Sequence, residues 1–492
     1  MRPRTARDGS QTRKALSRDQ AGRRIAGMGK RFRTDHLDQG LLLPPSLHDW
    51  LPERHLARFV AEVVETLDLR AIYRSYDGDG RGLAAYEPLM MVRVLLYGYC
   101  LGVVSSRKIE RASYENVGFR FLSADAHPDH DTIAAFRARH LSALAGLFVQ
   151  ALRLCEKAGL VKLGHVAIDG TKIKANASKH KAMSYARMTE TEARLREEVD
   201  ALLRHAAEVD AAEDAQYGRG QRGDELPAEL ARREDRLVKI RAAKAALEQE
   251  AREQAAQQRA EAEARIAARA EQAAQTGKKV SGRAPQVPDP AAATPDPKAQ
   301  RNFTDPESRI MPDGANKGSF IQAYNAQAAV DSQAQVIVAA DITQQSNDSQ
   351  QLVPMIAQVQ ANVGRAPEAV SADAGYWSEA NVTDPGVAGI DLYLATGRHA
   401  HGDPQGPIDE PLAADASVKE AMRHKLRTAA GHAIYKRRKA IVEPVFGQTK
   451  ERRGFRRFSL RGADHVRAEW RVICLTGNLL KLFRAGWSPQ PV

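Results

Sequence analysis

The run from His165 to Lys174 alternates as a strand does, and the next comparable signal arrives only at Phe320. Between them, from about Lys181 to Gln275, the chain is rich in Ala, Glu, Arg and Gln. Met188, Leu195, Val199, Leu202 and Val209 keep helical spacing. After a Gly-rich break at Gly218–Gly223, Leu230, Leu237, Ile240 and Leu247 repeat it near a heptad. Two long antiparallel helices, a coiled-coil-like hairpin, are the expected structure. Pro285 to Pro297 then serves as a linker. With no chemistry of its own, the block at 181–299 reads as an insertion into a domain built from 161–180 and 300–485.

That domain is expected to be α/β. Phe320–Val330 and Gln335–Ile342 read as a hairpin around the turn Asp331-Ser-Gln. A helix near Ser349–Val363 follows, then a strand ending at Asp373, a short helix and a strand at Ile390–Leu394. A helix around Ser417–Thr428 leads into a basic segment. Strand, hairpin, helix, strand, helix, strand, helix is the order of an RNase H-like fold.

Upstream, residues 35–160 read as an all-α N-terminal domain. Leu56, Phe59, Val60, Val63, Val64 and Leu67 follow amphipathic spacing, and Tyr86–Val104 reads as a mostly buried helix. A short exposed helix at Ser105–Arg111 precedes an N-cap at Pro128-Asp-His-Asp131 and a helix carrying Arg137 and Arg139. This arrangement suits a helix-turn-helix-like DNA reader; a plain bundle with solvated arginines is the alternative. Leu89–Val104 is short for a membrane span and carries Arg93, so no membrane association is expected.

A formal charge of +12 points to a polyanionic partner. Residues 1–34 hold eleven Lys/Arg against two Asp, either as a disordered basic arm or as an over-extended frame ahead of Met28. Residues 435–461 hold ten Lys/Arg against Glu443 and Glu451. Three well-separated cysteines without a CxxC fit a reducing cytosol and no zinc ribbon.

Three acids carry the chemical argument. Asp169 closes His165-Val-Ala-Ile-Asp, Asp373 closes Ala369-Val-Ser-Ala-Asp, and Glu443 sits among the cations of Tyr435–Lys450. Strand-end carboxylates and a glutamate on a basic helix can hold two Mg²⁺, with Mn²⁺ as a substitute, against a phosphodiester. On a straight helix Tyr435, Lys439, Glu443 and Lys450 fall within a sector of about 80°, with Arg438 one position away. Pro444 interrupts that stripe, by a kink or by a restart. Taken singly, each acid also reads as a turn residue or a surface ion pair. Asp305, Asp313 and Asp331 read as structural, Asp341 as the substitute acid, and Arg398-His-Ala-His401 as a solvated loop.

Asp-Gly-Thr, Asp-Ala-Gly-Tyr-Trp and Tyr-x3-Lys-x3-Glu-x6-Lys together resemble the DDE transposases of bacterial insertion sequences, in the branch with a Tyr-Arg-Glu-Lys signature. Thr304-Asp-Pro-Glu-Ser-Arg-Ile-Met311 and Arg437-Arg-Lys-Ala-Ile-Val-Glu-Pro-Val-Phe-Gly-Gln448 add to the likeness, which runs from about Gly29 to Phe483. The resemblance implies Asp169, Asp373 and Glu443 as metal-binding triad and Lys450 as a DNA contact. It also implies an N-terminal domain that helps bind terminal inverted repeats, a target DNA, a homodimeric synaptic complex and a nucleoid-associated cytoplasmic setting. The signature arginine departs in spacing, leaving Arg438 and Lys439 as alternatives. A non-catalytic repressor and a nuclease that does not rejoin are the competing functions.

Overall fold

A computed structural model describes residues 46–76, 85–217, 228–276, 282, 284–314, 316, 318–397, 412–413 and 415–489. The basic arm at 1–34, the Gly218–Gly223 break and the Arg398–His401 loop lie outside them. The chain divides into two units, Met1–Trp50 and Leu51–Val492. Of the first, the described part is a short helix, α1 (Leu47–Trp50).

The second unit begins with helices. In α2 (Leu56–Glu65) the spacing puts Phe59, Val60, Val63 and Val64 on the buried face. After α3 (Arg70–Tyr73), α4 (Pro88–Leu101) is buried nearly all round; Pro88 opens it and Gly102, at φ 77°, ends it. Next come α5 (Ser106–Glu115), α6 (Val117–Leu122) and the long α7 (His130–Lys157). Asp129 caps α7, its Oδ1 accepting from the amides of Asp131 (3.0 Å) and Thr132 (2.8 Å) as the sequence anticipates. Among the described residues no single helix is long and apolar enough to cross a membrane.

Strand β1 (Val166–Lys174) leads through β2 (Ala182–Ser184) into α8 (Tyr185–Tyr217) and α9 (Ala228–Thr276). These two helices run antiparallel. Glu192 meets Arg241, Glu198 meets Arg233, and Tyr185 donates to Glu248. Met188, Leu195, Leu237, Ile240 and Leu247 form a core separate from the main one. The chain returns through β3 (Gln300–Asn302), which pairs with β2, and β4 (Arg309–Pro312). Then follow β5 (Phe320–Asp331), β6 (Ile337–Thr343), α10 (Leu352–Val363), β7 (Ala369–Ala372), α11 (Glu379–Thr383) and β8 (Asp391–Leu394). Helices α12 (Val418–Arg427), α13 (Ala429–Gly447) and α14 (Ala463–Arg484) complete the fold.

The main sheet is mixed. β1 pairs antiparallel with β5 along its whole length and parallel with β7, and β8 lies parallel outside β7. On its other edge β5 pairs antiparallel with β4 and then β6. Helix α13 packs against β1, β5, β7 and β8, while α14 packs against β6 and against α4 and α7. Trp470 of α14 is fully buried, and its indole donates to Gln327 O at 2.8 Å. One hydrophobic core therefore runs from Val60 and Leu95 through Ile168 and Val330 to Leu475. The fold is α/β, with helices and sheet sharing that core. Both β4 and α14 lack a counterpart in the sequence-based element order. For β4 the reason is a four-residue run ending in Pro312, too short to display a period.

Candidate active site

Val166, Ala167 and Ile168 are buried, and they carry β1 outward until Asp169 emerges half-buried. In the parallel pair, Val166 lies opposite Val370 and Ala167 opposite Ser371. The same offset carried two residues further sets Asp373 beside Asp169. Asp373 sits just past β7, where its Oδ1 accepts from the Gly375 amide at 2.8 Å and caps a short turn. The strand signals place these two acids together, as expected.

Side chains alternate along a strand, so Asp169 and Thr171 share one face of β1, and Gly170 and Lys172 the other. On the first face lies α13. Arg438 Nη1 donates to Asp169 Oδ2 at 3.0 Å, and the guanidinium stands over the Tyr435 ring, 5.9 Å from its centroid. Further along, Lys450 donates to the Thr171 hydroxyl and to Lys172 O, the latter at 3.0 Å. Lys450 belongs to a π-helical turn, Gln448–Arg452, a distortion frequent at functional sites. Lys439 is exposed. Of the two candidates left open by the signature's spacing, Arg438 is the one turned toward an acid.

A third carboxylate, not singled out from the sequence, approaches from the other face. Asp348, in the loop between β6 and α10, accepts from Asn325 Nδ2 (2.6 Å) and Gln327 Nε2 (2.7 Å), with Lys172 Nζ 3.9 Å away. Tyr376 donates in turn to Gln327. A Cβ on Gly170 would stand 2.7 Å from Asp348 Oδ1 and 2.8 Å from Asn325 Oδ1; one on Gly375 would stand 3.4 Å from Asp348 Oδ2. Gly170, next to Asp169, thus leaves room for that carboxylate, while Gly375 belongs to the turn that Asp373 caps.

Electrostatics follow from this crowding. Burial pushes the Asp169 carboxyl up to about 6; Arg438 opposes the rise, and the charges of Asp373 and Asp348 add to it. Burial, reinforced by the same three acids, lifts the Tyr376 hydroxyl well above its usual range. Arg438 is held above the ordinary guanidinium value by Asp169, against the opposite pull of burial. Lys450 is lowered by burial. Asp169 and Asp373 against Arg438 on one face, and Asp348 against Lys172 on the other, leave one carboxylate without a counter-charge, and all their donors are oxygen, as a hard divalent cation prefers. Asp169 and Asp373 fit such an ion. Among the described residues, however, no group of three His, Cys, Asp or Glu side chains is arranged to hold a metal.

Glu443 stands apart from these acids. It is exposed on α13 and makes no hydrogen bond or ion pair among the described residues. The helix runs unbroken through Pro444, so neither a restart nor a gap turns the glutamate aside. Counting 100° per residue, Glu443 lies about 140° round the helix from Arg438, which faces the sheet. Arg137 and Arg139 are also engaged within the chain: Arg137 donates to Val104 O and Ser106 Oγ, and Arg139 to Ser75 O at 2.6 Å. Asp341 pairs with Arg467 at 2.7 Å, Asp305 accepts from Tyr324, and Asp331 accepts from the Leu163 amide.

Two family matches bear on these segments. Residues 45–139 match the family described as Transposase domain (DUF772), and residues 412–483 match the Transposase DDE domain. The first covers α2 to α6 and the start of α7; the second covers α12, α13 and most of α14. Neither the curated proteins nor the solved structures contain a match to the chain.

Proposed function

We propose that this protein, a DDE transposase of insertion-sequence type, binds the terminal inverted repeats of its element and transfers DNA strands by in-line phosphoryl transfer at Asp169, Asp373 and Glu443. The single observation that carries the reading is the pairing of β1 with β7, which sets two carboxylates side by side in a corner with too little positive charge. The strand order β6-β5-β1-β7-β8, with only β5 reversed, supports an RNase H-like catalytic domain. Near-heptad spacing supports a coiled coil in the inserted hairpin at 181–299. The helical segment 35–160 is the part assigned to repeat recognition. A homodimer brings the two element ends together at the bacterial nucleoid.

In this reading Asp169 and Asp373 hold Mg²⁺, as two ions, with Mn²⁺ substituting. Bound there, such ions would supply the positive charge that activates the attacking oxygen and stabilises the leaving one. Arg438 neutralises Asp169 until a cation does so, and is then available to a phosphate. Lys450, fixed on the edge of β1, presents a cation next to the scissile group. Glu443 lies on α13 between these two anchor points and joins the acids when DNA is bound. Asp348 is the alternative third carboxylate, favoured by its position against Gly170.

The test uses duplexes carrying the element's ends, with Mg²⁺ or Mn²⁺. Asp169→Asn, Asp373→Asn and Glu443→Gln are each expected to reduce cleavage at least a thousandfold while DNA binding persists. Normal cutting by Glu443→Gln together with loss in Asp348→Asn would transfer the third role to Asp348. Products joined through a 3′-OH separate transposase from nuclease, and binding with no metal-dependent cutting identifies a repressor.

A further inference from the structure

At the stem of the inserted hairpin lies a cavity of about 420 Å³, outside both family matches. His180, Lys181, Arg187, Arg236 and Lys239 line it, and among the described residues no carboxylate does. These residues come from three places: the turn after β1, the start of α8, and one face of α9. Arg236, Lys239 and Ile240, at spacings of three and four, necessarily share that face. Met183, Ile240 and Phe303 supply an apolar floor continuous with the hairpin's own core.

The pairing pattern around the cavity is selective. Arg241 and Lys244 sit on Glu192 at 3.2 and 3.1 Å, Arg233 on Glu198 at 3.0 Å, and Arg301 and Arg309 on Glu250 at 2.6 and 3.0 Å. The four cations that line the cavity make no side-chain ion pair among the described residues, though acids are plentiful along both helices. Gathering like charges in a concavity is unfavourable unless an anion occupies it. An aromatic and aliphatic floor beneath a cationic rim suits a nucleic acid better than a small inorganic ion, because it offers a surface to sugars or an unstacked base.

We infer that this cavity is a DNA-backbone site, gripping phosphates of the substrate beyond the carboxyl end of β1, the strand that carries Asp169. That an anion binds rests on the cavity alone; that the anion is DNA rests on the proposed function. The hairpin thus acts as an arm that holds the duplex rather than as a spacer.

Binding of a labelled duplex, followed by fluorescence anisotropy in EDTA over a series of KCl concentrations, tests this without any catalytic step. Arg187→Gln/Arg236→Gln is expected to bind about tenfold more weakly near 0.1 M salt. Its slope of log K against log salt should fall by about 1.8, or 0.9 for each phosphate no longer neutralised. Arg252→Gln/Arg265→Gln, which removes equal charge from exposed positions further along α9, is expected to match wild type. Equal losses in both pairs, or none in either, overturn the inference. So does a first pair that loses binding of inorganic phosphate but keeps wild-type affinity for the duplex, since that identifies a free-phosphate site. Should the first pair unfold, as read by thermal melting, Lys181→Gln/Lys239→Gln carries the same expectations. A protein that binds through the cavity and never cuts DNA fails the proposed function and leaves this inference standing. One that cuts DNA, with cavity variants binding as wild type does, fails this inference alone.

Discussion

Burial raises the Asp169 carboxyl to about 6 although a guanidinium lies 3.0 Å from it, so desolvation and the neighbouring acids outweigh that one ion pair. A cation added to the corner relieves this imbalance, and that is the residue-scale argument for a metal. Four residues upstream, His165 meets burial from the opposite side. Its Nε2 lies 2.8 Å from Ser371 Oγ, tying β1 to β7 directly behind the two acids, and its Nδ1 is buried with no partner. Burial, then the charge of Arg437, pushes this imidazole down to about 4. The folded pKa is therefore below the unfolded one. Stability from the neutral ring is complete above about pH 6.5 and drains away as pH falls toward 4. Allowing for partial solvent screening, the loss by pH 4.5 is roughly 1–2 kcal/mol. Urea unfolding at pH 6.5 and 4.5 is expected to show a smaller drop for His165→Gln than for wild type. Identical drops would remove His165 from the acid sensitivity.

At the scale of elements, α13 shows how a proline can be accommodated within a helix. Pro444 has no amide hydrogen to offer Ala440 O, the acceptor four residues back. Gln335, from the turn between β5 and β6, supplies the missing donor: its Nε2 reaches Ala440 O at 2.9 Å, and Lys481 Nζ holds its Oε1 at 2.8 Å. Gln335 adopts φ 56° to do so, a left-handed backbone unusual for a residue with a side chain. A mutant cycle isolates the arrangement. Gln335→Ala is expected to cost about 0.5–1 kcal/mol, the usual net contribution of one hydrogen bond near the surface. In a Pro444→Ala background the helix regains its own donor, and the same substitution should cost about half as much or less. Additive effects in chemical denaturation would show that Gln335 does not substitute for the proline's amide.

This brace also marks where sequence reasoning stops. Strand periodicity and flanking glycines located Asp169 and Asp373 because both depend on local pattern. The angular stripe through Tyr435, Lys439, Glu443 and Lys450 took its bearing from Glu443. The helix is instead oriented by Ile441, Val442 and Val445, which are buried and carry Arg438 inward with them. Asp348 lies in an aperiodic Ser-Asn-Asp-Ser loop, so its approach to Gly170 depends on tertiary packing and on no local spacing.

Over the whole molecule, the two matched segments are locked together by a charge with no counter-charge among the described residues. Arg453 follows the π-helical turn and is buried. Its Nε and Nη2 donate to Tyr99 O of α4 at 3.3 and 3.2 Å, and Nη2 also reaches Ile473 O at 2.9 Å and the Thr476 hydroxyl. Burial draws its pKa down to about 10, so it stays protonated at neutral pH. Nearby, Gly102 ends α4 in a left-handed conformation and lets the Arg453 carbonyl approach where a Cβ would collide with it. The guanidinium thus joins the first matched segment to the helices around Glu443. Arg453→Met keeps most of the volume but leaves the carbonyls of Tyr99 and Ile473 without this donor, at an expected cost of about 2–4 kcal/mol. Arg453→Lys should recover part of that by restoring a charge and a donor. In calorimetry both segments of the wild type should melt in one transition, shifted down by several degrees in Arg453→Met and by less in Arg453→Lys. Separate transitions in the wild type, or an unshifted melt in Arg453→Met, would mean that the helices of 45–139 and the Glu443 region are stabilised independently.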